Sequence, residues 1–163
     1  MIRLFVSCFV LSIAWLAAPP ADALVCSLGG CSCDVSATPI VFDNLNLLNG
    51  AQPSEGQVTI DCTGIAELFP TMLVRLQSGL YGTISARKMR SASGDLLNYN
   101  LYTTSQGGVL WGNGTTGSTV TVSGGLLAIG HWTVSRAVYA TVSPTVATKP
   151  GSYTDTVVVR IDW

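Results

Sequence analysis

Gly151-Ser152-Tyr153-Thr154-Asp155-Thr156-Val157-Val158-Val159-Arg160-Ile161-Asp162-Trp163 alternates on a period of two. Successive side chains of a strand point to opposite faces, so Val157, Val159, Ile161 and Trp163 share one face. Thr156, Val158, Arg160 and Asp162 share the other. This is the most hydrophobic strand-like run of the sequence, and it needs neighbours on both sides. Either earlier strands supply them, or one side is left for a strand from another molecule.

Upstream the same pattern recurs in shorter runs broken by Gly, Ser, Asn and Pro, and no amphipathic helix of useful length appears. The alternation predicts strands over Ser32–Ala37, Gln57–Cys62, Met72–Gln77, Asn98–Thr103, Ser118–Val122, Trp132–Val142 and Tyr153–Trp163. The first is expected to bend at Pro39 and continue as Ile40–Phe42, and residues 64–70 to form a loop or a short helical turn. Short strands with frequent turn signals read as an all-β sandwich.

The first residues read differently. Arg3, the apolar stretch Leu4 to Ala18 and the small-x-small motif Ala21-Asp22-Ala23 form a secretory signal peptide, with cleavage expected after Ala23. Residues 24–163 then make one domain, and no other stretch is long enough to span a membrane. Removing residues 1–23 takes one charge of each sign and leaves the net charge at -1. With only 10% charged residues, the chain lacks the basic surface that binds nucleic acid or anionic membranes.

Four cysteines remain in this exported domain: Cys26, Cys31, Cys33 and Cys62. An even number in an oxidising compartment reads as disulfides. Cys33 shares the apolar face of its strand with Val35, and Cys62 shares one with Val58 and Ile60. The expected pairing is therefore Cys33–Cys62, with Cys26–Cys31 closing a small loop. A metal reading fails for want of a C-x-x-C spacing and of histidines.

Catalytic chemistry finds little support. His131 is the sole histidine and has no triad spacing. The carboxylates are scattered singly, no nucleophile elbow surrounds a serine, and Gly112-Asn113-Gly114 is turn chemistry rather than a phosphate loop. Asn113-Gly114-Thr115 matches a glycosylation sequon, a weak signal in a short sequence. The cluster Arg87-Lys88-Met89-Arg90 reads as a solvated strand edge that discourages unwanted pairing. The expectation is a protein that is not an enzyme and uses no cofactor.

Cys33-Asp34-Val35-Ser36, Val58-Thr59-Ile60-Asp61-Cys62, Arg87-Lys88-Met89, Leu97-Asn98-Tyr99-Asn100-Leu101-Tyr102, Trp111-Gly112-Asn113-Gly114 and the run from Pro150 to Val157 follow one another in order. Together they resemble the spore coat protein U domain, a family that includes subunits of archaic chaperone–usher pili. The resemblance implies an incomplete immunoglobulin-like sandwich lacking its final strand. It implies as partners a periplasmic pilus chaperone, an outer-membrane usher and neighbouring subunits, with passage through the periplasm to the cell surface. Val157, Val159, Ile161 and Trp163 would then border the groove for a donated strand, and Cys33 and Cys62 match the family's cysteines. Residues 24–32 are interrupted by Gly29-Gly30 and carry Cys26 and Cys31, which points to a tip or cap position. The rival expectation is a free-standing secreted spore-coat or carbohydrate-binding sandwich.

Overall fold

In the computed structural model, which describes residues 32–43, 45–67, 71–105, 107–124 and 128–162, the alternating runs become nine strands and no helix. They are β1 Ser32–Ala37, β2 Gln52–Glu67, β3 Thr71–Leu76, β4 Arg87–Ser91, β5 Leu96–Tyr102, β6 Val120–Ser123, β7 Ala128–Val142, β8 Tyr153–Thr154 and β9 Val159–Asp162. Two antiparallel sheets form an immunoglobulin-like sandwich: six strands in the order β1-β2-β7-β5-β4-β8, and three in the order β6-β3-β9.

The period-two faces meet between the sheets. Met72, Val74 and Leu76 of β3 are buried against Val58, Ile60 and Cys62 of β2 and Val138, Ala140 and Val142 of β7. Trp111, wholly buried, bridges the layers: its indole Nε1 donates to Val74 O at 3.0 Å, and its backbone N donates to Leu101 O at 2.9 Å. A buried indole needs such a partner, and here it ties the small sheet to the large one.

Several expectations change. β2 runs through residues 64–67, where a loop or helical turn was expected. β4 was read as a solvated edge, yet it is paired on both sides, with β5 and β8. Its alternation sends Lys88 and Arg90 one way and Arg87 and Met89 toward the core, and Arg87 has no exposed surface at all. A buried guanidinium is tolerable only when its donors are met. Arg87 Nε donates to Gln77 O at 3.0 Å, and Nη2 to Gln77 O and Trp111 O, both at 2.9 Å. Weaker bonds reach Leu76 O, Ile84 O and Asn100 Oδ1. Burial pulls its pKa below the ordinary arginine value, with Tyr99 and Asp155 opposing the shift.

The expected last strand is divided. Tyr153 and Thr154 pair with β4 in the large sheet, whereas Val159–Asp162 pair with β3 in the small one. Val35, expected on an apolar face, is 42% exposed because the small sheet does not extend over β1. Trp163, Cys26, Cys31 and the signal segment lie outside the described residues.

Cys33 and Cys62 are partners across the β1–β2 ladder and form a disulfide. It closes a loop of 29 residues' separation, which in the chain-entropy account contributes roughly 3–4 kcal/mol. The double replacement Cys33→Ser/Cys62→Ser should therefore lower the unfolding free energy by about that amount. Urea denaturation of the two proteins under oxidising conditions measures the difference.

Candidate functional site

Pro39 has no N–H to continue a ladder, and β1 ends at Ala37, with one last backbone bond from Thr38 N to Gln57 O at 2.9 Å. The chain then turns inward. Ile40 lies so close over Gly56 that a Cβ there would stand 2.6 Å from Ile40 Cγ1, so glycine is needed for this approach. Ile40 and Phe42 thereby become one wall of a cleft.

The opposite wall is the crossing from β8 to β9. Tyr153, Val157 and Val159 turn their apolar side chains toward the core, all only half-buried, while Val158 between them is 59% exposed. Val58, Leu76, Met89, Tyr99, Leu101 and Val138 line the same cleft of about 390 Å³. A wider space of about 820 Å³ shares Ile40, Phe42, Met89, Tyr153 and Thr154 with it and continues past Leu45, Leu47 and Leu97. Along this trough β9 is hydrogen-bonded to β3, and among the described residues no strand lies on its other side.

Among the described residues Asp155 is the one charged residue lining the narrower part. Its carboxylate fastens the strand crossing: Tyr99 OH donates to Oδ2 at 2.6 Å, and Leu80 N to Oδ1 at 2.9 Å. Thr156 N also donates to Oδ1, at 2.8 Å. Gly79, at φ +84°, leaves space for this carboxylate, since a Cβ there would stand 2.1 Å from Oδ2. Gln77 N donates to Val158 O at 3.0 Å and begins the pairing that β9 continues. The trough is thus an apolar surface beside an unpaired strand edge, with one polar latch setting the path of its wall.

Over residues 24–160 the sequence matches the family model described as the Spore Coat Protein U domain. The chain belongs to the Spore Coat Protein U domain family. Among solved structures, this Spore Coat Protein U chain is similar to one in the CsuC–CsuE chaperone–tip adhesion subunit pre-assembly complex from the archaic chaperone–usher Csu pili of Acinetobacter baumannii. Identity is 19% and the TM-score 0.46, with 82% of this chain and 40% of that chain covered. It therefore spans well under two thirds of the matched chain. No curated protein matches it.

Of the groove residues expected for the Spore Coat Protein U domain, Val157 and Val159 line the trough. Ile161 pairs with Val74 and packs on the core without lining it, and Trp163 lies outside the described residues. The sequence reading missed the part of Ile40, Phe42, Tyr153 and Asp155. Tyr153 and Asp155 sit on the same period as Val157, and that signal was available. The inward turn after Pro39 depends on Gly56, eighteen residues from Thr38 in sequence, and left no local mark.

Burial first, then the bond to Asp155, pushes the Tyr99 phenol well above its ordinary pKa. In the unfolded chain a phenol ionises near pH 10, while in the fold Tyr99 stays protonated above that. Its contribution to stability is full below about pH 10 and falls progressively as pH rises from there. Tyr99→Phe should cost roughly 1–3 kcal/mol at neutral pH and make the alkaline loss of stability shallower. Urea unfolding at a series of pH values from neutral to strongly alkaline tests this. An equally steep decline in the variant would show that Tyr99 does not govern it.

Proposed function

We infer that this Spore Coat Protein U protein is a structural subunit of a secreted surface fibre, an archaic chaperone–usher pilus, and that its trough accepts a donated strand. The observation that carries the reading is the coincidence of two needs in one place. Val157 and Val159 present an apolar face that remains half-buried, and the adjoining β9 has an unpaired edge. A strand inserted beside β9 would meet both at once, its main chain pairing with the edge and its alternate side chains filling the trough.

The magnitude is adequate. Burying four or five apolar side chains gains on the order of 10 kcal/mol before the costs of association. The partners in this reading are a periplasmic pilus chaperone, which lends a strand first, an outer-membrane usher, and a neighbouring subunit that replaces the chaperone's strand. The setting is periplasmic transit followed by the cell surface, with adhesion or biofilm formation as the purpose and no catalysis. A tip position is the finer part of the reading. Residues 24–32 break their alternation at Gly29-Gly30 and carry Cys26 and Cys31, which suits them poorly to serve as a donor strand.

The test pairs two neighbouring substitutions. Residues 24–163 are expressed in a periplasm with the chaperone of an archaic chaperone–usher system, and the complex is isolated. Val159→Asp places a charge in the trough and should abolish the one-to-one complex, whereas Val158→Asp, on the outward face, should leave it intact. A domain that is a stable monomer alone, with a melting transition the chaperone does not change, would instead favour a free-standing coat or carbohydrate-binding sandwich.

A further inference from the structure

The sequence contains two asparagines followed directly by glycine, Asn49-Gly50 and Asn113-Gly114. In such a pair the glycine nitrogen can reach the asparagine side chain with no Cβ in the way. We propose that Asn49 is a site of spontaneous deamidation in the folded protein, and that the fold protects Asn113. The two differ in what holds them.

Asn49 ends an exposed turn of residues 46–49, in which its own N–H donates to Asn46 O at 3.2 Å. Among the described residues its side-chain amide makes no hydrogen bond. A Cβ built on Gly50, at φ +66°, would meet nothing within 4 Å. The side chain is free to swing over the following peptide. Asn113 is half-buried, and its Oδ1 accepts from Thr115 N at 3.0 Å and Thr116 N at 2.9 Å. Its N–H donates to Thr116 O at 3.1 Å, and its carbonyl accepts from the Arg75 guanidinium, which itself pairs with Asp162. A Cβ on Gly114 would stand 3.1 Å from Arg75 Nη1 and 3.2 Å from Thr119 Cγ2. Attack at Asn113 requires breaking both bonds to Oδ1, and the carbonyl on which the turn pivots is fixed.

The chemistry needs only water. The Gly50 amide nitrogen gives up its proton to solvent base and attacks Asn49 Cγ, forming a C–N bond. The side-chain nitrogen leaves as ammonia, and a five-membered succinimide remains. Water then adds to either ring carbonyl and breaks one ring C–N bond, giving isoaspartate or aspartate, with no oxidation or reduction. The product carries a new carboxylate in the loop whose Leu45, Asn46 and Leu47 line the wider part of the trough. It makes the net charge, formally -1, one unit more negative.

The folded protein is held at mildly alkaline pH, digested, and its two Asn-Gly peptides compared by mass and by enzymatic methyl labelling of isoaspartate. A parallel sample is held in denaturant. The expected result is conversion at Asn49 with Asn113 retained in the folded sample, and conversion of both in denaturant. Equal conversion of the two in the folded protein, or retention of Asn49 there while denaturant releases it, would overturn the proposal. Asn49→Gln should remove the label from its peptide without altering the other.

Discussion

A sheet of six strands can bury its inner face only under a cover of similar width, and here the facing sheet has three. The consequences appear where the cover stops. Val35 on β1 is exposed, and Cys33, Trp132 and Val134 are only half-buried although they share a face with the buried Ile60 and Cys62. At the β9 side the same shortfall leaves the trough between Ile40 and Phe42 and the last strand. Close packing normally removes such spaces, since each unfilled contact forfeits dispersion and keeps apolar surface wet. A trough of this extent, lined chiefly by apolar residues, is a large uncollected hydrophobic term.

The surroundings of the trough explain why it does not collapse. Arg87 gathers the carbonyls of Leu76, Gln77, Ile84 and Trp111 around one buried cation, which fixes the end of β3 and the two loops beside it. Trp111 joins the sheets, and the disulfide joins β1 to β2. Asp155, held by Tyr99 and Leu80, sets the wall itself. For the β8–β9 wall to move inward, Asp155 would have to give up its bonds to Tyr99 and Leu80, and polar groups left unpaired on burial are costly. Rigidity around the trough and openness within it are two aspects of one arrangement.

Where burial follows the period of two, the sequence was readable: β3 and β7 lie close to where alternation placed them; β1 also has the expected bounds, although only Cys33 of it is even half-buried, and the disulfide joins the two cysteines expected to pair. Where a polar group does a core residue's work, it was not. β4 was hidden because Arg87 looks like a solvated cation until the carbonyls that surround it are known, and those come from residues 76, 77, 84 and 111. The division of the last strand was hidden likewise. Its alternation persists unbroken from Tyr153 to Ile161, and only the contact of Asp155 with Tyr99, far away in sequence, marks where the chain leaves one sheet for the other.

The four edge strands among the described residues are not equivalent. β8 has two residues, and β6 has four with Thr121 and Ser123 exposed, so neither offers a long apolar template. β1 is an edge too, but its pairing ends at Ala37 and the following Pro39 has no N–H to offer. Among the described residues β8 borders the apolar trough through Tyr153 and Thr154 but is only two residues long, whereas the four-residue β9 brings a free edge to it at Val159. A helix or loop laid there could cover the side chains but would leave the backbone edge unpaired; a strand satisfies both with one set of contacts. The same geometry makes the unaccompanied domain prone to pair with whatever strand it meets, including its own copies. In the donor-strand reading proposed above, a strand lent by a partner would meet this hazard first and serve assembly second.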